Sequence, residues 1–324
     1  MVDIKRVATE AIIKRYIKDI KSSPKRSIRN LVDLGLSTAK GKFKDSFLTA
    51  AQKMLENENS KYYDLVVDNL NNVDNETLVT FGMNVAYNGC TKGAATIREL
   101  EAKYNINIPW SVFLKISHNK FEEYEEKYLD VIKEGETLGI YTWFVFVDKL
   151  TPEELSLAKN NENCAFVYFI SNQDINDDLL SELCNLHNVM ISIEYIEDEN
   201  KNFRIMRENK LMYSMHTTYD SDIKDDIILD EIDELQPIFT IFFPSESASE
   251  EICENNYNFI IEAKNSQKYQ TVLWEAFRDT SKIDEQLSGD AVRAIFDESG
   301  TLADSSCNIF KEKLLDIFKA SFSK

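Results

Sequence analysis

The amino-acid sequence predicts an α/β protein in which a helical region precedes a mostly parallel sheet. Residues 1–105 have the apolar spacing of amphipathic helices and contain no run typical of a strand. From residue 106 onward, runs of β-branched and aromatic residues alternate with charged helical segments. This alternation is typical of βα units, and the number of runs favours a partial or complete barrel over an open sheet.

The helical region is predicted to form a domain over residues 1–105. Apolar residues from Ile4 to Ile20 recur at helical spacing, and Ser22-Ser23-Pro24 ends this helix and begins the next. Further helices are expected over Phe43–Leu55, from Lys61, from Asn75 and over Lys92–Tyr104.

The barrel is assigned to residues 106–285, because strand-length apolar runs lie there. Continuous apolar runs are typical of parallel strands buried on both faces. The expected strands are Trp110–Ile116, Ile140–Val147, Ala165–Ile170, Val189–Tyr195, Met212–Met215, Ile238–Phe243 and Thr271–Phe277. No glycine motif for a dinucleotide or a P-loop nucleotide follows any of them.

A third segment, residues 286–324, is predicted to hold a β-hairpin and a last helix. Val292–Phe296 and Leu302-Ala303 flank a turn at Gly300, as two hairpin strands would. An amphipathic helix is expected from Ile309 to the last residue.

The net charge argues against a nucleic-acid partner, and the basic segment of residues 1–44 has two interpretations. The net charge of −19 over 324 residues argues against nucleic-acid binding. Residues 1–44 nevertheless hold 12 Lys/Arg and only 4 Asp/Glu. The favoured interpretation is that this basic segment packs on the acidic remainder. The alternative is a docking surface for an acidic partner or for the headgroups of a membrane surface.

Segments for secretion or membrane insertion are not evident in the sequence. No apolar run approaches the roughly 18 residues of a membrane helix. The charged beginning of the chain lacks the apolar core of a signal peptide. We therefore expect a cytoplasmic protein.

Cysteines and histidines are scattered rather than clustered. The five cysteines are Cys90, Cys164, Cys184, Cys253 and Cys307, and the three histidines are His118, His187 and His216. Their spacing predicts neither a disulfide framework nor a zinc or Cys/His catalytic site. Each cysteine is best interpreted as a small apolar residue.

Six apolar segments keep the order that they have in a known family. They are Asn105–Ile116, Glu134–Phe146, Asn161–Asn172, Asn188–Glu194, Pro237–Pro244 and Ser288–Leu302, the last followed by Asn308–Phe310. In this order they resemble a group of radical S-adenosylmethionine (radical SAM) proteins. The resemblance implies a helical N-terminal region, a radical-SAM-like partial (β/α)6 TIM-type barrel and a short SPASM-like C-terminal remnant.

The same resemblance implies a CxxxCxxC motif after the first strand, which holds a 4Fe–4S cluster that binds SAM. Here the segment Ser117–Tyr128 has no cysteine, and His118 alone cannot replace three thiolates. The position of the family's GGEP-like SAM motif is occupied by Val147–Leu150, without glycine, and Gln286 and Ser305 stand where auxiliary-cluster cysteines are expected. We therefore predict no cluster, no SAM, no other cofactor or metal, and no assigned catalytic residue.

Four polar residues are candidates for a ligand site at the mouth of the barrel. Asp148, Glu194, His216 and Glu246 are expected at or just beyond the carboxyl ends of strands, where active sites of such barrels lie. Carboxylates there could transfer protons or hold a cation. The alternative, which we favour, is that they are solvated polar residues of loops.

These observations favour a catalytically inactive, radical-SAM-like pseudoenzyme that acts as a binding, scaffold or regulatory partner. The expected partner is an active radical SAM enzyme or its peptide substrate. One alternative is a module that binds a small ligand at the barrel mouth. Another, which has the least support, is a cluster-independent enzyme that uses the carboxylates there. A last alternative is association of residues 1–44 with a membrane surface.

Overall fold

The computed structural model describes residues 4–20, 23–38, 48–173, 175–225 and 227–324. The described part of the predicted Phe43–Leu55 helix is helical, and the remainder of that prediction lies outside the described residues. Within the described ranges no helix is long and apolar enough to cross a membrane.

Helices account for all the regular structure described before the first strand, as the sequence predicts. These helices are α1 (Ile4–Ile20), α2 (Pro24–Thr38), α3 (Thr49–Met54), α4 (Lys61–Asn72), α5 (Asn75–Met83), a π-helix (Asn84–Gly93) and α6 (Ala94–Tyr104). The helices that follow the first strand are α7 (His118–Leu138), α8 (Ser156–Lys159), α9 (Asp177–Cys184), α10 (Lys201–Glu208), α11 (Ile232–Leu235), α12 (Glu250–Ser266), α13 (Ala276–Leu287) and α14 (Leu314–Ser321). Short 3-10 turns lie at Ile223–Asp225 and Ile227–Leu229.

Eight strands within the described residues form a sheet in the order β7-β6-β5-β4-β3-β2-β1-β8. The strands are β1 (Ser111–Ile116), β2 (Thr142–Val147), β3 (Ala165–Ile170), β4 (Val189–Glu194), β5 (Tyr213–Tyr219), β6 (Phe239–Pro244), β7 (Val272–Glu275) and β8 (Ala294–Phe296). Parallel pairing joins β8 to β1, β1 to β2, β2 to β3, β5 to β6 and β6 to β7. The predicted α/β class with a parallel sheet is thereby confirmed.

The C-terminal segment differs from the expected hairpin. Residues 294–296 form strand β8, which pairs in parallel with β1 at the edge of the sheet. A single antiparallel bridge, between Phe296 and Leu302, remains of the hairpin. The reason is that the apolar residues of β8 pack against β1. The segments on either side of the Gly300 turn make too few backbone pairings to form a separate two-stranded hairpin.

The chain divides into two compact units, one formed by residues 1–79 and 193–279 and the other by residues 80–192 and 280–324. These units group the residues differently from the three predicted segments, whose boundaries remain predictions. In the unit of residues 80–192 and 280–324, the π-helix and α6 belong with strands β1 to β3.

Buried asparagines connect the π-helix to the segment that precedes β3. Asn84 Nδ2 donates to the carbonyl of Cys164 at 2.9 Å, and Asn88 Nδ2 donates to that of Asn163 at 2.9 Å. From the start of β4, Asn188 Nδ2 donates to the same Cys164 carbonyl at 3.1 Å. These bonds satisfy carbonyl groups that burial would otherwise leave without partners.

In the unit of residues 1–79 and 193–279, α4 and α10 are joined by a half-buried ion pair. The Arg207 guanidinium donates to both carboxylate oxygens of Asp68, at 2.7 and 3.0 Å. The Lys210 carbonyl after α10 accepts from the amide of Asp74 at 2.9 Å. A bidentate pair of this kind orients the two helices as well as holding them together.

Helix α7 packs on β2 where Gly135 lies over Trp143. A Cβ atom at Gly135 would lie 2.4 Å from Trp143 Cζ2, and Trp143 is fully buried. The helix ends at Leu138 because Gly139 has a φ of 95°, which a glycine adopts readily. Near its end, Glu134 Oε2 accepts from the amide of Leu314 at 3.0 Å and so caps α14.

We expect Gly135→Ala to destabilise the protein by about 1–3 kcal/mol, because the added methyl group forces α7 away from Trp143. Urea unfolding followed by circular dichroism measures this change. Gly82→Ala is the matched control, since Gly82 is also helical and nothing lies within 4 Å of an added Cβ there. That control should be neutral or stabilise by about 1 kcal/mol. Equal effects of the two substitutions would contradict the close approach at Gly135.

A buried carboxyl group, Asp284, lies beneath the start of β1. Its two oxygens accept from the amides of Trp110 and Val292, at 3.1 and 2.9 Å. Burial nevertheless raises the pKa of Asp284 to about 8, against the lowering effect of these two bonds. The nearby Glu101 carboxylate raises it further.

Because the pKa of Asp284 is higher in the folded chain than in the unfolded one, the folded state retains a proton that the unfolded state loses. We therefore expect stability to fall as pH rises from about 4 to about 8, by a few kcal/mol. Melting temperatures between pH 5 and 8 test this. Asp284→Asn should flatten the profile, whereas Asp316→Asn, an exposed control, should leave it unchanged. Parallel profiles of wild type and Asp284→Asn would disprove the assignment.

Candidate functional site

Strand β1 is followed by α7 after a single residue, Ser117. Asp148, at the end of neighbouring β2, accepts from the amide of His118 at 2.8 Å and from Ser117 Oγ at 3.3 Å. A carboxylate at this position satisfies a free amide of the helix start and interacts favourably with the helix dipole. The predicted site residue Asp148 thus caps α7 from the adjacent strand.

The same helix start places His118 beside a buried carboxylate. His118 Nδ1 lies 2.7 Å from Oε1 of Glu154, whose side chain is fully buried. The other carboxylate oxygen, Oε2, accepts from the amide and the hydroxyl of Thr151, at 2.8 and 2.7 Å. With Glu154 accepting on both oxygens, we assign the Nδ1 proton to His118 as the donor.

This arrangement leaves His118 Nε2 without a hydrogen-bond partner among the described residues, on a side chain that is 34% exposed. A histidine oriented by a carboxylate behind it can transfer a proton or bind a ligand through its outer nitrogen. No group of three or more His, Cys, Asp or Glu side chains in the described part of the chain is arranged to hold a metal ion.

The two buried cysteines of the unit that holds the β1–α7 junction, Cys90 and Cys164, do not supply thiolates to it. Cys164 immediately precedes β3, at the opposite end of the strands, and burial raises the pKa of its thiol well above the ordinary value. Burial also raises the pKa of Cys90, in the π-helix, to about 12. Thiols with such raised pKa values are poor metal ligands, because the thiolate is the binding form. The donor set at the junction therefore does not fit a 4Fe–4S cluster.

Two faces of β1 to β3 have different surroundings. Trp143 of β2 faces α7, and the Tyr168 hydroxyl of β3 donates to the Glu154 carbonyl at 2.9 Å, so this face is covered by helices and their connections. Side chains alternate along a strand, so Phe144 and Phe146 lie on the opposite face. At the start of β2 the π-helix covers that opposite face, where Gly89 approaches Thr142.

Four phenylalanines form a cluster on this opposite face, which we call the phenylalanine face: Phe113, Phe144, Phe146 and Phe169. Phe113 stacks on Phe144 with ring centroids 4.7 Å apart, and Phe146 stacks on Phe169 at 4.5 Å. Phe113 and Phe169 are buried, whereas Phe144 and Phe146 are half-buried. Lys115, on the same face of β1, is exposed. Aromatic rings that remain partly exposed in a cluster are typical of binding surfaces.

The other three predicted site residues lie in the unit of residues 1–79 and 193–279. Glu194 is the exposed last residue of β4, and Glu246 is exposed in the turn after β6. His216 lies within β5, where its carbonyl accepts from the amide of Tyr195 at 2.8 Å and its ring meets Phe243 edge to face at 6.1 Å. The structure places Glu194 and His216 on neighbouring strands, and their ligand role stays a prediction.

Sequence reasoning missed several buried carboxyl groups besides Asp284, and two of them accept hydrogen bonds from hydroxyl groups. One is Glu154, and the spacing Thr151-x-x-Glu154, a capping-box pattern, could have indicated it. The other is Glu275, at the end of β7, where burial raises the pKa of the carboxyl group and the Tyr219 hydroxyl donates to Oε1 at 3.4 Å. Nothing in the local sequence distinguishes Glu275 from the many exposed acids.

Comparisons with known proteins support the fold. No family model and no curated protein matches the sequence. Solved structures that resemble the chain include Streptococcus suis SuiB, with a TM-score of 0.51, 9% sequence identity and 68% coverage of each chain. This chain has a radical SAM-like fold.

Two further SuiB structures give the same result. SuiB bound to S-adenosylmethionine matches with a TM-score of 0.52 over 68% of this chain and 66% of SuiB, at 10% identity. SuiB bound to the precursor peptide SuiA matches with a TM-score of 0.51 over 68% and 67%. At such low identity the likeness shows the radical SAM-like fold alone.

We expect Glu154→Gln to destabilise the protein by about 1–3 kcal/mol, because the amide nitrogen of glutamine cannot accept from Thr151 and from His118 together. Urea unfolding measures the loss. Glu122→Gln is the control, since Glu122 is exposed on α7 and has no side-chain partner among the described residues. If both variants unfold at the same urea concentration as wild type, Glu154 does not hold this junction.

Proposed function

We propose that this chain is a catalytically inactive, radical-SAM-like protein that binds a peptide or protein partner on the phenylalanine face. The observation that carries the proposal is the half-buried pair Phe144 and Phe146 within a stacked aromatic cluster. Aromatic side chains dominate the energetics of peptide and protein interfaces, and an exposed cluster of them binds an apolar partner side chain favourably.

The chemistry of the β1–α7 junction supports the inactive part of the proposal. One residue, Ser117, separates β1 from α7, and the helix start is held by Asp148 and Glu154 instead of by thiolates. Cluster-based reduction of SAM requires three cysteine ligands near one another. With no cysteine in residues 117–128, we propose that neither the cluster nor SAM is bound here.

A solved neighbour supports the choice of partner. SuiB, which shares the fold, has been solved with a precursor peptide bound. We propose by analogy that this chain binds such a peptide or an active radical SAM enzyme that acts on one. The net charge of −19 disfavours nucleic acid as the partner.

Affinity capture of the tagged protein from its native cells under anaerobic conditions, with mass spectrometry of the co-purifying proteins, identifies the partner. The affinity of the purified pair is then measured for two variants. Phe146→Ala should weaken binding by about 10-fold or more, because it removes a half-buried ring from the phenylalanine face. Phe322→Ala, which removes a half-buried phenylalanine near the end of α14, should leave the affinity unchanged.

Two results would contradict the proposal. Equal affinity of wild type and Phe146→Ala would remove the phenylalanine face as the binding surface. Stoichiometric incorporation of iron and sulfide, followed by cleavage of SAM, would overturn the inactive assignment.

A small-ligand site is a second candidate function, favoured by the His118–Glu154 pair. The outer nitrogen of His118, Nε2, is oriented by a buried carboxylate and has no partner among the described residues. A metabolite that is captured by wild type and by a His187→Gln control, but not by His118→Gln, would support this function. The affinity for a protein partner should be the same for wild type and His118→Gln.

A further inference from the structure

Helices α1 and α2 line a solvent-open cavity of about 450 Å³ in the unit of residues 1–79 and 193–279. The lining has two cations, one acid, three uncharged polar residues and one apolar residue. These residues are Arg15, Arg26, Asp19, Ser23, Ser27, Asn30 and Ile12. The cavity lies at the start of α2, where the helix dipole contributes positive potential.

Arg15 and Arg26 differ from several of the basic residues around them. Neither has a carboxylate partner among the described residues, and both side chains are exposed. Four neighbouring cations of the same two helices are paired. The pairs are Arg6 and Lys14 with Glu10, and Lys25 and Arg29 with Glu58. Two unpaired guanidinium groups therefore line one cavity, whereas these four cations are paired with Glu10 and Glu58.

The lining suits the binding of a phosphate group. Arginine matches the oxygens of phosphate with two parallel hydrogen bonds, and Ser23, Ser27 and Asn30 supply further donors. The single acid, Asp19, leaves the lining positive. The cavity exceeds the size of a bare phosphate ion and falls within the range of small-molecule sites, about 300–1,000 Å³. Ile12, a side chain that is 40% exposed, offers an apolar contact to the organic part of a ligand.

We propose that the α1–α2 cavity binds the phosphate group of a phosphate monoester, with Arg15 and Arg26 as its principal ligands. The site is separate from the phenylalanine face and from the His118–Glu154 pair, so it is independent of the proposed function. A free phosphate ester and the headgroup of a phosphatidic-acid membrane share this chemistry.

Isothermal titration of the full chain with phenyl phosphate tests the proposal, with benzyl alcohol as the uncharged probe and inorganic phosphate as competitor. We expect saturable binding of phenyl phosphate and none of benzyl alcohol. Arg15→Gln and Arg26→Gln should each weaken binding by about 10-fold or more, the loss expected for a charge-assisted hydrogen bond. Lys5→Gln, an equal change of charge on α1 outside the cavity, should change it by less than about 2-fold.

Arg15→Lys and Arg26→Lys are a second pair of variants in case the glutamine variants do not fold, because they keep the positive charge. Each should bind more weakly than wild type, since an ammonium group cannot make the bidentate contact. A parallel arm measures co-sedimentation with phosphatidic-acid vesicles and with phosphatidylcholine vesicles. Binding to the former alone, with the same dependence on both arginines, identifies a lipid headgroup as the source of the phosphate. No arginine-dependent binding in either arm would overturn the proposal.

Discussion

The contact between α7 and β2 determines which side of strands β1 to β3 can be used for binding. Gly135 admits the indole of Trp143 at a distance that no larger residue allows, so the helix covers one face of the strand closely. Alternation along the strand then directs Phe144 and Phe146 to the other face. A buried tryptophan on one side and half-buried phenylalanines on the other are thus two consequences of one packing constraint.

The start of α7 is a second point on which the local structure depends. A helix that begins one residue after a strand has free amide groups at the end of the sheet, and these require acceptors. Asp148 supplies one from the neighbouring strand, and Glu154 holds the His118 ring from the segment before α8. Burial of a carboxylate is costly unless its oxygens are hydrogen-bonded, and the two donors of Thr151 together with His118 meet that requirement.

Strand positions were predictable from the sequence where the apolar runs are continuous, as in Ala165–Ile170, which matches β3 at both ends. The prediction for β5 stopped at Met215, although the strand continues to Tyr219. The residues 216–218 are polar, and a hydrophobic pattern cannot detect them. Pairing with β6 supplies the hydrogen bonds that extend the strand.

The candidate site was predictable only in part. Asp148 was placed at the end of a strand by the sequence, but its role as a cap for α7 depends on the parallel register of β1 and β2. The spacing Thr151-x-x-Glu154 indicates a local cap, but the contact of Glu154 with His118 and the α1–α2 cavity could not have been found, because they join residues that are distant along the chain or lie on separate helices. Burial and charge pairing depend on residues that are close in space, whereas the sequence shows only which residues are adjacent along the chain.

By itself, the sequence determined the helical first part, the alternation of strands and helices that follows, and the absence of cysteine from residues 117–128, because these depend on residue types and their local spacing. The tertiary structure alone decided that residues 294–296 join β1 in parallel, that His118 meets a buried carboxylate, and that Arg15 and Arg26 share a cavity. The physical reason is that side chains acquire partners only when the folded backbone brings separate segments within hydrogen-bonding distance.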